Sequence, residues 1–157
     1  MTTPAATAEA TTTTTPSTSQ IVGYGPPISL AMAQRVVSAA EAKARRNGWP
    51  MVIAVMDSGA NLVVLHKMDN AQTGSIAIAQ QKAESTVRFK RPTRAFEDAL
   101  TQGGIHLRLL ATHRAIPLEG GLPLMIDGQL AGAIGVSGMQ STQDAQVAAA
   151  GLEALAG

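Results

Sequence analysis

Residues 120–138 read GGLPLMIDGQLAGAIGVSG, and this stretch holds six glycines among its apolar residues. Asp127-Gly128 separates two apolar runs, and an Asp-Gly pair in that position is a strong signal for a tight β-hairpin turn. We therefore predict strands over residues 122–126 and 130–136. A glycine inside a strand usually marks a bulge or the close approach of another backbone or a ligand, so this hairpin is also a candidate site.

A second hairpin is predicted earlier in the chain. Residues 51–56 and 62–67 are apolar, β-rich runs on either side of a short loop that contains glycine. Hairpins pair antiparallel strands, and here the strands and helices fall in separate runs along the chain. The sequence therefore predicts an α+β fold with an antiparallel sheet. Residues 105–114 are ambiguous between helix and loop.

The helices are predicted from apolar residues at spacings of three and four. A first helix begins after the N-cap Ser29 and ends at Gly48. A second helix covers residues 73–89, and a short third one is capped by Thr93. Ser141 is predicted to cap the last helix.

Composition restricts the classes of function. The chain has 157 residues, the length of one ordinary domain, and 45% of them are hydrophobic. A net charge of +1 and 3% aromatic residues argue against a nucleic-acid-binding protein. The absence of cysteine excludes disulfides, thiolate metal sites and cysteine nucleophiles. No apolar run approaches the length of about 20 residues that a membrane helix needs, and no metal-binding motif is present.

The N-terminal segment differs from the rest of the chain. Nine of the first twenty residues are threonine, and the first basic side chain is Arg35. A secretory signal has a basic start and an apolar run of about 7–15 residues, and neither feature is found. We expect residues 1–27 to form a flexible Thr/Ala/Pro-rich tail, residues 28–157 to form the domain, and the protein to be cytoplasmic.

The glycine-rich strand leads directly into the N-terminus of the last helix. Backbone N–H groups and the helix dipole at such a position favour an anion, here near Gly135, Ser137 and Gly138. The alternative is a strand-to-helix turn that needs small residues for packing, and the residues alone leave both interpretations open. The glycine spacing is not that of a dinucleotide-binding fingerprint, and no phosphate-binding Gly-Lys-Ser/Thr follows.

Several linked motifs resemble one known family. They are GGLPLMIDGQLAGAIGVSGMQSTQD at residues 120–144, IAVMDSGANLVVLHKMDNA at residues 53–71, Lys82-Ala83, and Phe89-x-x-Pro92-Thr93. Together they resemble the haem-degrading, GlcG/HbpS-like family over residues 28–156, and also the C-terminal domain of PduO-type cobalamin adenosyltransferases. The resemblance implies a profilin-like antiparallel sheet of about five strands with helices on both sides, and assembly into homo-oligomers, as dimers or larger.

The resemblance implies haem or tetrapyrrole binding, linked to haem handling, as the first hypothesis. Haem needs an apolar slot, an axial ligand and partners for its propionates. The candidate axial ligands are His113, His106 and His66, with Met68 and Met139 as further candidates. Five basic residues between positions 82 and 94 could contact propionates: Lys82, Arg88, Lys90, Arg91 and Arg94. The alternative interpretation of this cluster is a solvated charged face. The full set of anion-binding candidates is Gly135, Ser137, Gly138, Lys82, Arg88 and Arg91.

A second hypothesis is a small, cofactor-independent enzyme that acts on a carboxylate-bearing catabolic intermediate. Lys82 would be its acid–base or Schiff-base residue, because burial beside the apolar face of its helix would lower the lysine pKa. Asp57 and Asp69 would orient Lys82 or act as bases. The structural alternatives are an exposed Lys82 and an Asp57 that caps a turn. Asp144 is assigned to N3 of the last helix, as part of a near capping box with Ser141.

A third hypothesis is a non-catalytic assembly partner for an enzyme encoded in the same operon. Alanine-rich helix faces allow close packing between subunits, although they allow it equally within one subunit. The three hypotheses predict different observations, namely a Soret band with haem, turnover that depends on Lys82, or co-purification with a partner protein.

Overall fold

The structure, a computed structural model, describes residues 21–156 and confirms the predicted α+β fold. A four-stranded sheet with the strand order β2-β1-β4-β3 is antiparallel throughout. The elements are α1 Leu30–Asn47, β1 Val52–Asp57, β2 Leu62–Lys67, α2 Ser75–Phe89, α3 Arg94–Thr101, a 3₁₀ helix Gly104–Ala111, β3 Gly121–Ile126, β4 Gln129–Ser137 and α4 Ser141–Glu153. The segment that was ambiguous in the sequence is therefore largely a 3₁₀ helix.

The expected count of about five strands is wrong, because the described residues form four. The N-terminal segment makes a single bridge with β4, in which Leu130 N donates to Gly23 O and Gly25 N donates to Leu130 O, both at 2.9 Å. The next two residues, Pro26 and Pro27, have no backbone N–H and cannot extend this ladder. Residues 1–20 of the predicted tail lie outside the described residues.

Local sequence signals placed most of the turns and helix ends correctly. Asp127 and Gly128 have φ angles of 51° and 74°, as the predicted hairpin turn requires. Ser29 caps α1 by accepting a 3.2 Å hydrogen bond from Met32 N. Gly48 ends the same helix in the left-handed conformation, with a φ angle of 68°.

The predicted cap of the last helix is wrong by one residue. Gln140 is the N-cap of α4 and forms a capping box with Gln143, so Ser141 is already helical and Asp144 lies one position beyond N3. Gln140 and Gln143 make the capping-box hydrogen bonds because the side chain of Asp144 is turned toward the protein interior, where its partner is Lys82. A similar change affects Thr93, which precedes α3 but makes no side-chain cap there.

The sheet lies between two layers of helix. One face packs on α1 and α4 through a large cluster that includes Val37, Ile53, Ile134 and Val147. On the other face α2 lies close to β4, and a Cβ atom on Gly135 would overlap the backbone of Ala79 and Ala83. The prediction that this strand glycine permits a close approach is therefore confirmed. The approaching group is the backbone of α2.

Candidate functional site

Lys82 is held in the interior between α2, β4 and α4. Its Nζ donates to the carbonyl of Val136 at 2.8 Å and to Asp144 Oδ2 at 2.9 Å. The side chains of Lys82 and Asp144 are 1% and 3% exposed. Gly120, with a φ angle of 130°, leaves the room for this pair, because a Cβ atom there would lie 2.8 Å from Lys82 Nζ. The ammonium group is therefore paired and shielded from solvent.

Asp144 occupies the position at which the sequence predicts an anion. Its Oδ1 accepts a 3.0 Å hydrogen bond from Met139 N, just before the first turn of α4. Burial raises the pKa of Asp144, while the hydrogen bond and charge of Lys82 and the backbone N–H groups of Gly138 and Met139 act in the opposite direction. The chain's own carboxylate thus uses the donors at the end of the glycine-rich strand.

The other residues predicted for this anion site are packed against neighbouring parts of the chain, with Gly135 and Ser137 buried and Gly138 half-buried. Gly135 is covered by α2. Ser137 is 4% exposed, and its hydroxyl lies 3.0 Å from the hydroxyl of Ser75. Gly138 lies so close to Pro50 that a Cβ atom would overlap the proline carbonyl. An external anion would have to displace these contacts or Asp144.

The structure does not bring Asp57 and Asp69 to Lys82. Asp57 pairs with Gly132 at one end of β1, whereas Val52 pairs with Ser137 at the other end. This separation of five residues corresponds to about 17 Å. Asp57 Oδ1 accepts from Gly59 N at 2.9 Å and from the backbone of residue 61 at 3.0 Å, so it caps the β1–β2 turn. Asp69 is exposed and lines a shallow cleft of about 260 Å³ beside the end of α1.

The three candidate histidines lie in different surroundings. His66, on β2, places Nδ1 3.0 Å from Glu41 Oε2. Burial tends to raise the pKa of Glu41, but hydrogen bonds and charge from Arg45 and His66 outweigh it, so the pKa of Glu41 is lowered. His106 is half-buried in the 3₁₀ helix, and His113 is exposed after it.

His113 lines a cleft of about 310 Å³ between α2 and the segment before β3. The residues around this cleft, called the His113 cleft below, are Gln81, Glu84, His113, Arg114, Ala115 and Ile116. Arg114 Nε donates to His113 Nε2 at 3.0 Å, and Arg114 Nη1 lies 3.3 Å from Glu84 Oε2. Arg114 has a φ angle of 70°. This conformation is uncommon for a residue other than glycine, and such outliers are often found at functional sites.

The basic residues of the predicted propionate cluster do not converge on one site. Arg88 pairs with Glu84 at 2.9 Å, and Lys90 donates to the carbonyl of Val22 at 2.7 Å. Arg91 lies over the ring of Phe96, with 5.6 Å from Cζ to the ring centroid, and Arg94 pairs with Asp98 at 3.4 Å. Arg88 is linked to the His113 cleft through its ion pair with Glu84, which lines the cleft.

Sequence reasoning missed Arg114, Glu84 and the role of Asp144. The spacing of Glu84 and Arg88 is four residues, which a helix places on one face, so this pair was detectable. Arg114 lies 30 residues from Glu84, and Asp144 lies 62 residues from Lys82. No local pattern indicates either of those contacts.

The described residues also limit two other kinds of site. Within residues 21–156 no three histidine, aspartate or glutamate side chains are grouped so that they could hold a metal ion. None of the helices in that range combines the length and hydropathy of a membrane span. Met139 is 40% exposed, and Met68 is partly buried against the core.

Fold and site together define a small α+β domain with one antiparallel sheet, a buried Lys–Asp pair and a histidine-lined cleft. The family model described as haem degrading protein HbpS-like matches residues 28–153, and the chain belongs to this family. Protein GlcG of Escherichia coli is 36% identical over 110 residues, which are 70% of this chain and 81% of GlcG.

Two solved structures are also similar. The protein ORFY of Klebsiella pneumoniae has a TM-score of 0.79 and 34% identity, over 88% of this chain and 95% of ORFY. The structure described as a PduOC:heme complex has a TM-score of 0.75 and 26% identity, over 82% of this chain and 94% of PduOC. The resemblance to GlcG, HbpS and PduO proteins predicted from the sequence is confirmed.

Proposed function

We propose that this protein binds haem or a related tetrapyrrole at the His113 cleft. The observation that carries the proposal is the position of His113, whose imidazole lines a cleft beside the guanidinium of Arg114. The family description and the haem complex of the related PduOC support a haem-related function for this group of proteins. His66, in contrast, is engaged by Glu41.

The residues at the cleft fit the chemistry of haem. An imidazole nitrogen is a common axial ligand, and an arginine can bind a propionate through paired hydrogen bonds. Ala115 and Ile116 form an apolar part of the cleft wall. In the neighbouring 3₁₀ helix, the side chains of Ile105 and Leu110 are 69% and 68% exposed. At about 310 Å³ the cleft is at the small end of ligand pockets, so it suits the edge of a flat ring better than a fully enclosed ligand.

The Arg114–His113 hydrogen bond determines which nitrogen of the His113 imidazole can carry the proton. A guanidinium has only donors, so Nε2 of His113 must accept and its proton is on Nδ1. Neutral imidazole is the form that ligates a metal. Ligation through Nε2 would break this hydrogen bond and free Arg114 for a propionate. When bound, haem would supply its iron, and the chain would supply the ligand, the counter-charge and the apolar contact.

A haemin titration of the full chain, followed by absorbance, tests the proposal. We expect a saturable Soret shift at one haem per chain, lost in His113→Ala and retained in the matched controls His66→Ala and His106→Ala. Arg114→Gln should weaken binding without removing the shift, because it removes the charge and keeps one donor. A shift that survives in His113→Ala would contradict this assignment, and a non-saturating shift in the wild type would contradict haem binding itself.

The enzyme hypothesis needs a change in the structure around Lys82. The Lys82 side chain is 1% exposed, and both hydrogen bonds of its ammonium group must break before it can reach a substrate. Neither Asp57 nor Asp69 makes a hydrogen bond or ion pair with Lys82, whose partners are Val136 O and Asp144. The hypothesis would be restored if the wild type turned over a carboxylate substrate and Lys82→Met, still folded, did not.

A further inference from the structure

Glu84 contacts two arginines beside the His113 cleft. Its Oε1 accepts from Arg88 Nε at 2.9 Å, and its Oε2 lies 3.3 Å from Arg114 Nη1. The Glu84 side chain is 14% exposed, whereas both arginines lie at the surface. Two guanidinium groups against one carboxylate leave one positive charge unbalanced among these three residues. Their net charge therefore favours an anionic group of a ligand at this end of the cleft.

Helix α2 fixes the position of Arg114. Ile116 N donates to Ser85 Oγ at 3.2 Å, and Ser85 is fully buried next to Glu84 in the helix. Adjacent residues of α2 thus hold the segment 114–116, one through the segment's backbone and the other through the Arg114 guanidinium. The segment is held even though Arg114 has an uncommon φ angle of 70°. The helix, and not the loop alone, therefore determines where the guanidinium lies.

The two contacts of Arg114 use two of its three guanidinium nitrogens. Nη1 lies beside Glu84 Oε2, and Nε donates to His113 Nε2 at 3.0 Å. In a planar guanidinium, Nε–H and one N–H of Nη2 point along the same edge, and this edge can bind a carboxylate through two parallel hydrogen bonds. No acceptor within residues 21–156 is hydrogen-bonded to Nη2. His113 thus occupies half of an edge that fits a carboxylate.

We propose that Arg114, positioned by Glu84, blocks His113 until a carboxylate of the ligand replaces the imidazole on the guanidinium edge. The carboxylate accepts from Nε and Nη2, Nη1 stays beside Glu84, and the Nε2 lone pair of His113 becomes free. A ligand without an ionised carboxylate must break the Arg114–His113 hydrogen bond with no replacement, so it binds more weakly. This inference rests on the proposed function and adds to it an autoinhibitory contact that selects tetrapyrroles with a free carboxylate at the ring edge.

Titrations of the full chain with haemin and with haemin dimethyl ester test this selectivity. Both carboxyl groups are blocked in the ester, while the iron and the ring are unchanged. We expect the wild type to bind haemin about tenfold more tightly than the ester. In Arg114→Met this preference should disappear, and the ester should bind the variant more tightly than it binds the wild type, because His113 is no longer blocked. A variant that is merely damaged would not gain affinity for the ester.

Two further variants separate the position of Arg114 from its charge. Glu84→Gln keeps the guanidinium but removes its ionic partner, so the preference for haemin over the ester should fall below that of the wild type. The matched control is Arg45→Met, which removes an arginine from another ion pair four residues apart on a helix, with Glu41 of α1. It should keep the wild-type preference. A Glu84→Gln variant that is folded and keeps the full preference would show that Glu84 does not position Arg114.

NMR of the ring nitrogens of His113 tests the blocking contact without any ligand. We expect the proton on Nδ1 in the wild type and on Nε2, the usual position in a free imidazole, in Arg114→Met. A proton on Nε2 in the wild type would overturn the inference. Saturable haemin binding with equal affinity for the ester in both proteins would overturn this inference alone and leave the proposed function standing. A wild type that binds neither ligand saturably would overturn both.

Discussion

Replacing Lys82 by methionine isolates the energy of the buried Lys82–Asp144 pair. Methionine is unbranched and of similar length, so it fills the same channel without the charge. Asp144 keeps its hydrogen bond from Met139 N but loses the 2.9 Å partner at Oδ2, in a site where it is 3% exposed. Removing one member of a buried ion pair costs about 3–5 kcal/mol. At about 2–4 °C per kcal/mol for a chain of this size, the melting temperature should fall by roughly 10 °C.

The loss of stability in Lys82→Met should depend on pH. Burial already raises the pKa of Asp144 in the wild type, and loss of the opposing effect of Lys82 raises it further. A carboxyl group whose pKa is raised by folding stabilises the folded state below its unfolded pKa of about 3.9, and this contribution is lost as pH rises through the folded-state pKa. The difference in unfolding free energy from the wild type should therefore be largest at neutral pH and shrink in acid.

Urea unfolding of wild type and variant from pH 4 to pH 8 measures this difference. The matched control is Lys82→Met combined with Asp144→Asn, which keeps an acceptor for Met139 N and removes the unpaired charge. It should regain most of the lost stability at pH 7, because replacing both members of a buried pair is often nearly neutral. A single variant that loses less than about 1 kcal/mol at pH 7, with the pH profile of the wild type, would refute this reasoning.

Two further predictions concern the replacement of two glycines and the pKa of Glu41. Gly135→Ala should destabilise the fold by about 3 kcal/mol or more, because its Cβ atom would overlap the backbone of α2. Gly128→Ala has nothing within 4 Å of its Cβ and should cost only the left-handed backbone penalty of about 1–2 kcal/mol; equal melting temperatures for the two variants would contradict this ranking. His66→Ala should raise the pKa of Glu41 toward its ordinary value, since His66 helps to lower it. The stabilisation linked to that lowered pKa is present above about pH 4.3 and is lost as pH falls through the folded-state pKa. It should amount to less than about 1 kcal/mol, and NMR titration of Glu41 that shows no change would disprove the coupling.

The elements were predictable where local chemistry decides the conformation. Asp127-Gly128 indicated its turn because both residues must have positive φ, and Ser29 indicated its helix start because its hydroxyl accepts a nearby N–H. Thr93 and Asp144 were assigned to helix caps on the same local reasoning. Both assignments failed because a partner distant in sequence, Gly121 for Thr93 and Lys82 for Asp144, competes for the same oxygen.

The candidate site was less predictable than the fold. His113 was among the three histidines chosen from the sequence, but nothing local distinguished it from His66 and His106. Its cleft forms because residues 113–116 fold back against α2, where Arg114 reaches Glu84. The sequence offered Arg88, Lys90, Arg91 and Arg94 as propionate partners or as a solvated charged face, and in the folded chain they contact four separate partners. Positions on a helix and the loop after it point in different directions, and each cation finds a nearby partner of its own.

The sequence by itself determined the α+β class, the two hairpins, most helix ends and the family, because these depend on periodicity, on turn chemistry and on motifs within a few residues of one another. The tertiary structure alone decided what the glycine-rich strand serves. Its Gly135 admits the backbone of α2, and the donors at its end bind Asp144 of the same chain. A glycine leaves a space where other residues have a side chain. Contacts between distant parts of the chain decide which group fills that space, and those contacts form only when the helix and sheet layers pack together.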